Sequence, residues 1–150
     1  MYPNAKGSEQ LALLASLDPA SVAVGTLNTA WLSLVHFQGL LACIQTGAMG
    51  AAGTLEAKLQ QALDAAGTGA KDIAGRAITP LTQAGGGSSK QVLINLKSED
   101  LDTVGGYAFV RLSLTVGVAA SLANAVVLGV NPRFAAADAF DLASVIQIIG

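Results

Sequence analysis

The feature that most constrains this fold is a strict two-residue alternation in GYAFVRLSLTVG, residues 106–117. Its even positions from Ala108 to Val116 are apolar, whereas its odd positions include Arg111, Ser113 and Thr115. Successive side chains of a β-strand point to opposite faces of the sheet, so this period predicts a strand with one buried face. Glycines bound the segment, as is typical of turns between strands.

Several other segments carry the same strand signature. In KQVLINLK, residues 90–97, the positions Val92, Ile94 and Leu96 share one face. SLANAVVLGV, residues 121–130, is apolar at both parities, which is typical of a strand covered on both faces. In EQLALLASL, the odd positions from Leu11 to Leu17 are expected to share one face. Residues 28–47 are long enough for two strands, with a break expected near positions 38–39.

One segment, TLEAKLQQALDAAG at residues 54–67, fits two structures. Leu55, Leu59 and Leu63 recur every four residues, the composition favours a helix, and Gly67 could cap it. The same residues also alternate between apolar and polar, and the spacing of the neighbouring strands favours a strand. We therefore expect a strand near residues 54–63, with a helix as the alternative.

Together these segments predict an all-β fold, a jelly-roll-like β-sandwich of about seven to nine strands with room for one short helix. The 150 residues fit a single domain over residues 1–150. We expect an N-terminal arm at about residues 1–10 and a C-terminal tail at about residues 131–150, the latter either a short helix or a last strand. The apolar runs are shorter than the roughly 18 residues of a membrane span, and the chain does not begin like a secretory leader.

Charge is scarce and unevenly placed. Charged residues make up 12% of the chain, against about 25% in typical soluble domains. Between Asp18 and Glu56 only His36 can titrate, and between Arg111 and Arg133 nothing can. Because charge normally keeps a small domain soluble, we infer that other protein covers part of this surface, in an oligomer or a larger assembly. The alternative is a monomer coated in serine, threonine, glutamine and glycine.

The glycine-rich stretch TQAGGGSSK, residues 82–90, raises the question of phosphate binding. A phosphate loop needs glycine before its lysine and serine or threonine after it, but Lys90 lies between Ser89 and Gln91. Such a loop also opens a helix, whereas this one opens a strand. We predict a mobile turn joining two antiparallel strands, and Pro80 indicates that the first is an edge strand or has a bulge there.

No residue pattern indicates chemistry. His36 is the only histidine and no Gly-x-Ser-x-Gly elbow occurs, so a strand-edge or interface role is expected for it. The carboxylates Glu99, Asp100 and Asp102 do not match calcium-loop spacing and indicate a solvated turn. The single Cys43 excludes an intrachain disulfide and is expected to be a small buried hydrophobe. We expect no catalytic, metal-binding or cofactor-binding residues, no cofactor and no enzymatic activity.

Four stretches carry a resemblance to a known group of proteins: LEAKLQQALDAAGTGAKDI, AITPLTQAGGGSSKQVLINLKSEDLD, GYAFVRLSLTVG and NPRFAAADAFDLASVIQII. They resemble small structural proteins of tailed bacteriophages and related prophages, some of which are head decoration (cement) proteins. The resemblance covers nearly the whole chain and supplies no catalytic motif. It implies a β-sandwich that sits on an assembled capsid.

The resemblance implies a non-enzymatic virion protein on the capsid exterior, made in the cytoplasm of a bacterial host. Its expected partners are the outer surface of the major capsid protein and further copies of itself, with a trimer favoured. We expect neither nucleic acid, given the net charge of −2 and scattered basic residues, nor membrane as a partner. The alternatives are a carbohydrate-binding module displayed on the virion and a neck or tail component. The oligomeric state, the capsid site and the host stay open.

The candidate contact residues are apolar or aromatic side chains of the two termini and of the non-core face of residues 106–117. They are Tyr2, Tyr107, Phe109, Phe134, Phe140, Leu142 and Ile146. A carbohydrate site would instead use aromatic platforms, for which Trp31, Phe37, Tyr107 and Phe109 are the candidates.

Overall fold

A computed structural model describes residues 3–150 and confirms the predicted all-β sandwich, with two antiparallel sheets and one short helix. Ten strands occur in this range, of which β3 and β7 are only two residues long. The elements are α1 (Gly7–Gln10), β1 (Leu11–Val22), β2 (Gly25–Asn28), β3 (Leu32–Ser33), β4 (Phe37–Thr46), β5 (Thr54–Ala62), β6 (Lys71–Ala77), β7 (Leu81–Thr82), β8 (Gln91–Lys97), β9 (Phe109–Gly117) and β10 (Ser121–Pro132), with 3-10 turns at Ser98–Asp100 and Ala137–Phe140.

The strands divide into a four-stranded sheet of order β1-β10-β4-β8 and a six-stranded sheet. In the latter the order is β2-β9-β5-β6, with β3 also paired to β9 and β7 to β5. Edge strands are therefore β1 and β8 in the first sheet, and β2 and β6 in the second. No helix of the described residues is long and apolar enough to cross a membrane.

The core lies between the inner faces of the two sheets. In β9 the even-numbered residues from Val110 to Val116 are at most 1% exposed, as their alternation predicts. Leu40 and Ile44 of β4 face them from the four-stranded sheet and are equally buried. Full burial of each such side chain stabilises the fold by roughly 1.5–3 kcal/mol, so this alternating pattern is the main determinant of the sandwich.

The ambiguous segment is a strand, as expected. Leu55, Ala57 and Leu59 of β5 are buried, and β5 pairs with β9 in continuous register, with Leu59 opposite Leu112. A helix would place Leu55 and Leu59 on one stripe but Ala57 on the opposite side, and the six-stranded sheet would lack a central strand. Tertiary pairing therefore outweighs the helix propensity of Ala, Glu, Lys and Gln here.

Two strand predictions need correction. β1 has a bulge between Leu13 and Ala15, so Leu13 pairs with Leu128 on the outer face while Ala15 pairs with Val127 on the core side. The odd positions of β1 therefore do not share one face, because one extra residue inverts the side-chain alternation. The expected break near positions 38–39 is also wrong, because β4 runs unbroken from Phe37 and the break falls before it.

The glycine-rich loop does not join neighbouring strands. β7 belongs to the six-stranded sheet and β8 to the four-stranded sheet, so the loop crosses between the two layers. It is also anchored: the Thr46 hydroxyl donates to the Gly87 carbonyl at 2.6 Å, and the Met49 N–H donates to Ser88 Oγ at 3.1 Å. The prediction of a mobile hairpin turn is wrong, whereas the edge position inferred from Pro80 is confirmed by β6 and β7, which pair only with β5.

Candidate functional site

The outer face of the six-stranded sheet carries a connected polar network. Lys58 Nζ lies 2.8 Å from Asp72 Oδ2, and Gln60 Nε2 donates to Asp72 Oδ1 at 2.7 Å. Arg111 Nε donates to Gln60 Oε1 at 2.9 Å, and its guanidinium lies 4.5 Å from the ring centroid of Trp31. This face is suited to contact with water.

The outer face of the four-stranded sheet, by contrast, carries few charged residues and many apolar ones. In its four strands the only charged residues are Asp18 and Lys97. The register aligns Val126 with Cys43 and Leu93, and it aligns Leu128 with Leu13 and Leu41. We call this surface the apolar face, and it comprises Leu11, Leu13, Leu41, Cys43, Leu93, Leu122, Val126, Leu128 and Val130.

The apolar face is incompletely covered. Leu93 is 58% exposed, and the side chains at its centre, such as Leu41 and Val126, are half-buried rather than buried. No strand of the described chain lies over it, because the six-stranded sheet packs on the other side. An exposed apolar surface of this kind, here interrupted by the outward-facing Gln45, Asn95 and Asn124, is typical of a site of protein contact.

β10 shows why its sequence looked like a strand covered on both sides. Its inner residues Ala123, Ala125 and Val127 are buried in the core, while Val126 and Leu128 project from the apolar face. Within residues 3–150 only the inner face of β10 is covered. The apolar residues on its other face therefore lack the second layer that their composition predicts.

Cys43 lies in the apolar face and is half-buried. Burial raises the pKa of its thiol, which favours the protonated form over the nucleophilic thiolate. This agrees with the expected role of a small hydrophobe, although Cys43 projects from the outer face and not into the core.

The two candidate contacts near β9 lie at the six-stranded sheet, away from the apolar face. Tyr107 precedes the strand, and its hydroxyl donates to the Gly69 carbonyl at 3.0 Å while Lys71 Nζ lies 4.1 Å from the ring centroid. Phe109 begins β9 and is half-buried opposite Ala62. Both side chains therefore make contacts within the domain. Tyr2 lies outside the described residues.

The candidate contacts of the C-terminal tail divide into two groups. Phe140 stacks on His36 with ring centroids 4.4 Å apart and meets Phe37 edge-on at 5.5 Å. The Leu142 N–H donates to the Leu13 carbonyl at 2.8 Å, so Phe140 and Leu142 hold the tail on its own domain. By contrast, Phe134 and Ile146 are 77% and 87% exposed and are free to contact another molecule.

The tail also forms hydrogen bonds with backbone groups at the edge of β1. The Leu13 N–H donates to Asp141 Oδ1 at 2.6 Å, next to the Leu142 bond, so both backbone groups of Leu13 are satisfied by the tail. The sequence offered no signal for this contact, because Asp141 and Leu13 lie at opposite ends of the chain. The tail is a 3-10 turn followed by irregular structure, neither the helix nor the strand that its composition suggested.

The acidic turn holds ion pairs within the domain. Asp100 accepts from the Lys97 backbone N–H and from Arg76 Nη2, both at 2.8 Å, and these hydrogen bonds lower the pKa of its carboxyl. Asp102 accepts from Lys71 Nζ at 2.6 Å, which likewise lowers its pKa. Among residues 3–150 no group of His, Cys, Asp or Glu could hold a metal ion.

A polar groove of about 830 Å³ lies beside this turn, where the ends of β4, β8 and β10 meet. Its cationic groups are already engaged: Arg133 donates to Ser98 Oγ at 2.8 Å and to the Phe37 carbonyl at 3.0 Å, and Lys97 pairs with Glu99 at 3.3 Å. Three cationic and two anionic residues line the groove, and because the cations are engaged they form no cluster aimed at an anion.

The aromatic platforms of a carbohydrate site are not assembled. Trp31 is packed between the guanidinium of Arg111 and the loop at Gly67, where an added Cβ would be in contact with the indole. Phe37 is 1% exposed. These rings support the domain and do not share an open surface. No protein-family model matches the chain, and no curated protein sequence is similar to it at a significant level.

Proposed function

We propose that this protein is a non-enzymatic structural protein that docks on an assembled protein shell through its apolar face. The specific form of the proposal is a head decoration protein of a tailed bacteriophage that binds the outer surface of the major capsid protein. The observation that carries it is the segregation of charge, which leaves one sheet face hydrated and the other nearly free of charged groups.

The size of the apolar face suits a specific protein contact. Four strands at about 4.8 Å spacing, and eight residues at about 3.3 Å rise, give on the order of 500 Å² in projection. A standard interface buries roughly 800 Å² of accessible surface per partner. Because side chains make the accessible area of this face larger than its projected area, the face approaches that value. Docking here would desolvate apolar side chains at little electrostatic cost, because Asp18 and Lys97 are the only charged residues in the four strands.

A shell of identical subunits would add to this affinity. An oligomer of this protein could engage adjacent capsid sites together, so that a modest contact per subunit becomes strong overall. The resemblance to phage head proteins supports this partner over others. The engaged states of Trp31 and Tyr107 weigh against the carbohydrate-binding alternative, since neither ring is an open platform.

The test uses phage particles assembled with the wild-type chain or with single variants. Leu93→Lys places a charge in the apolar face at a position exposed enough to leave the fold intact. Val104→Lys is the matched control, because Val104 is 100% exposed in a loop outside that face. Quantitative mass spectrometry gives copies of this chain per major capsid protein, and cryo-EM gives their location.

We expect hundreds of wild-type copies on the capsid exterior, at least a tenfold lower occupancy for Leu93→Lys, and unchanged occupancy for Val104→Lys. Six or twelve copies at the portal would replace the proposal with a neck component. Equal occupancy of the two variants would exclude the apolar face as the docking surface, and particles that lack the protein would exclude a virion role.

A further inference from the structure

We propose that the C-terminal segment, residues 144–149, adds as a β-strand to the free edge of β8 in a second copy of this chain. The resulting contact is head-to-tail between copies and does not depend on capsid binding. Three features of the structure carry it: an unprotected strand edge, an apolar groove beside that edge, and an exposed segment with strand-forming sequence.

The edge of β8 is open. The Thr46 N–H at the end of β4 donates to the Lys90 carbonyl at 2.9 Å, and hydrogen-bonded pairs alternate along an antiparallel ladder. The even-numbered residues of β8 are therefore the ones whose backbone groups bond to β4. The N–H and C=O groups of Gln91, Leu93 and Asn95 therefore point away from β4, and no strand of the described chain pairs with them. Such an edge is a template for pairing with another strand.

The groove beside this edge is apolar. It has a volume of about 550 Å³ and runs between β8 and the β6–β7 edge of the other sheet. Ile78, Leu81 and Val92 line it and are only half-buried. Its one charged lining residue, Arg76, is paired with Asp100 at 2.8 Å. A strand entering here would meet free backbone groups on one side and core side chains beneath.

The C-terminal segment matches that requirement. Residues 144–149 read SVIQII, which is uncharged and rich in β-branched side chains. Ile146, Ile148 and Ile149 are 87%, 51% and 91% exposed, and the segment belongs to no sheet. Six residues is a usual strand length, so the segment is long enough to pair along the open part of β8.

The geometry favours pairing of the C-terminal segment with β8 of a second copy over pairing with β8 of its own chain. The tail is fixed at the β1 edge by the Leu142–Leu13 hydrogen bond, and its end at Gly150 lies beside Lys6, which precedes β1. β8 is the opposite edge of that sheet, three strand spacings or about 14 Å away. Residues 143–150 span about 26 Å when extended, so crossing their own sheet would leave about half of them to pair. A second copy can accept the whole segment.

This contact is heterologous, because the tail of one copy meets the β8 edge of the next. Repetition closes into a ring if the rotation permits and otherwise continues as a filament. In either case the four-stranded sheets of adjacent copies become connected through the tails. The apolar faces of a ring of copies would then lie in a common assembly, where several could dock at once.

The first test uses the purified protein alone, so that it stands apart from capsid binding. Light scattering after size exclusion gives the mass of the full chain and of a chain ending at Leu142, at about 100 μM because the state depends on concentration. We expect the full chain at a multiple of 15.0 kDa and the shortened chain as a monomer. Ile146→Pro or Gln147→Pro, which remove a backbone donor, should weaken assembly at least tenfold, whereas Gln147→Ala should not.

The second test locates the contact. In a Cys43→Ser background, a tagged Leu93→Cys chain is mixed with untagged chains carrying one cysteine at position 146, 147 or 148. Each chain then has a single thiol, so every disulfide is intermolecular. We expect a tagged–untagged disulfide for at least one tail position and none when Val104→Cys replaces Leu93→Cys. A monomeric full chain, or an oligomer unchanged by removal of residues 143–150, would overturn the inference while leaving docking through the apolar face to its own test.

Discussion

The ring of Phe37 lies over the α-carbon of Gly129, so that a Cβ built on Gly129 would come within 2.8 Å of three ring atoms. Phe37 is 1% exposed and packs with Ala12 and Ala137 in a small cluster apart from the main core. A side chain at position 129 would have to displace that ring. We expect Gly129→Ala to lower the free energy of unfolding by about 1–3 kcal/mol, measured as a lower urea midpoint at unchanged slope.

Gly7→Ala is the matched control for this substitution. Gly7 begins α1, and a Cβ built there meets nothing within 4 Å. Its effect on the free energy of unfolding should be within about 0.5 kcal/mol. Equal stability of the two variants would mean that Phe37 can move aside and that the cluster does not hold β4 against β10.

The anchor of the glycine-rich loop gives a second prediction. The Thr46 hydroxyl is buried, donates to the Gly87 carbonyl and accepts from the Lys90 N–H at 3.0 Å. Thr46→Val keeps the shape and leaves those backbone groups unpaired, which should cost about 1–3 kcal/mol. Hydrogen exchange should also quicken across residues 83–90. Thr115→Val removes only the exposed hydroxyl contact with Thr26 and should change stability by less than about 0.5 kcal/mol.

A third prediction concerns the link between Asp141 and Leu13. Asp141→Ala removes the carboxylate that accepts the Leu13 N–H, so we expect the tail to detach locally, at a cost of about 1–3 kcal/mol. Native-state hydrogen exchange at the Leu13 amide reports this directly. Asp138→Ala is the control, because Asp138 lies in the 3-10 turn that precedes Asp141 and its side chain makes no hydrogen bond within residues 3–150. Equal protection of Leu13 in both variants would show that Phe140 and the Leu142–Leu13 hydrogen bond hold the tail without Asp141.

The sequence predicted the elements of this fold better than their connections. Alternation in β8 and β9 identified the buried faces correctly, because a half-buried strand requires that period. The bulge in β1 escaped prediction, since a single extra residue inverts the alternation without a composition signal. The crossing of the glycine-rich loop between layers depends on the pairing of β7 and β8 with different strands, which no local pattern encodes.

The apolar face was predictable only in part. Scarcity of charge indicated a covered surface, and the long uncharged stretches around Cys43 and Val126 proved to be β4 and β10. That these two strands are neighbours, and so merge their outer residues into one face, follows from the fold. The tail residues Phe140 and Leu142 were expected to contact a partner but contact their own domain, because the Leu13 edge and the Phe37 ring lie within reach.

The carboxylates paired with lysines on the outer face of the six-stranded sheet and at its β6 edge give a prediction on pH. Hydrogen bonds from Lys58 and then Gln60 lower the pKa of Asp72, and hydrogen bonds from Lys71 and then the Gly105 N–H lower the pKa of Asp102. A carboxyl whose pKa is lower in the folded chain stabilises the fold above its unfolded pKa near 3.8. That contribution is lost as the pH falls through the folded-state value, so unfolding should become easier below about pH 4.

Asp72→Asn and Asp102→Asn should each reduce the dependence of unfolding free energy on pH in that acid range. The measurement is chemical denaturation between about pH 2 and 7 at low salt, since these groups are exposed and salt would screen them. Glu56→Gln is the control, because Glu56 lies on the same face and makes no ion pair within residues 3–150. An acid profile unchanged in both Asp variants would mean that these two carboxylates hydrate the surface of the sheet without stabilising the fold.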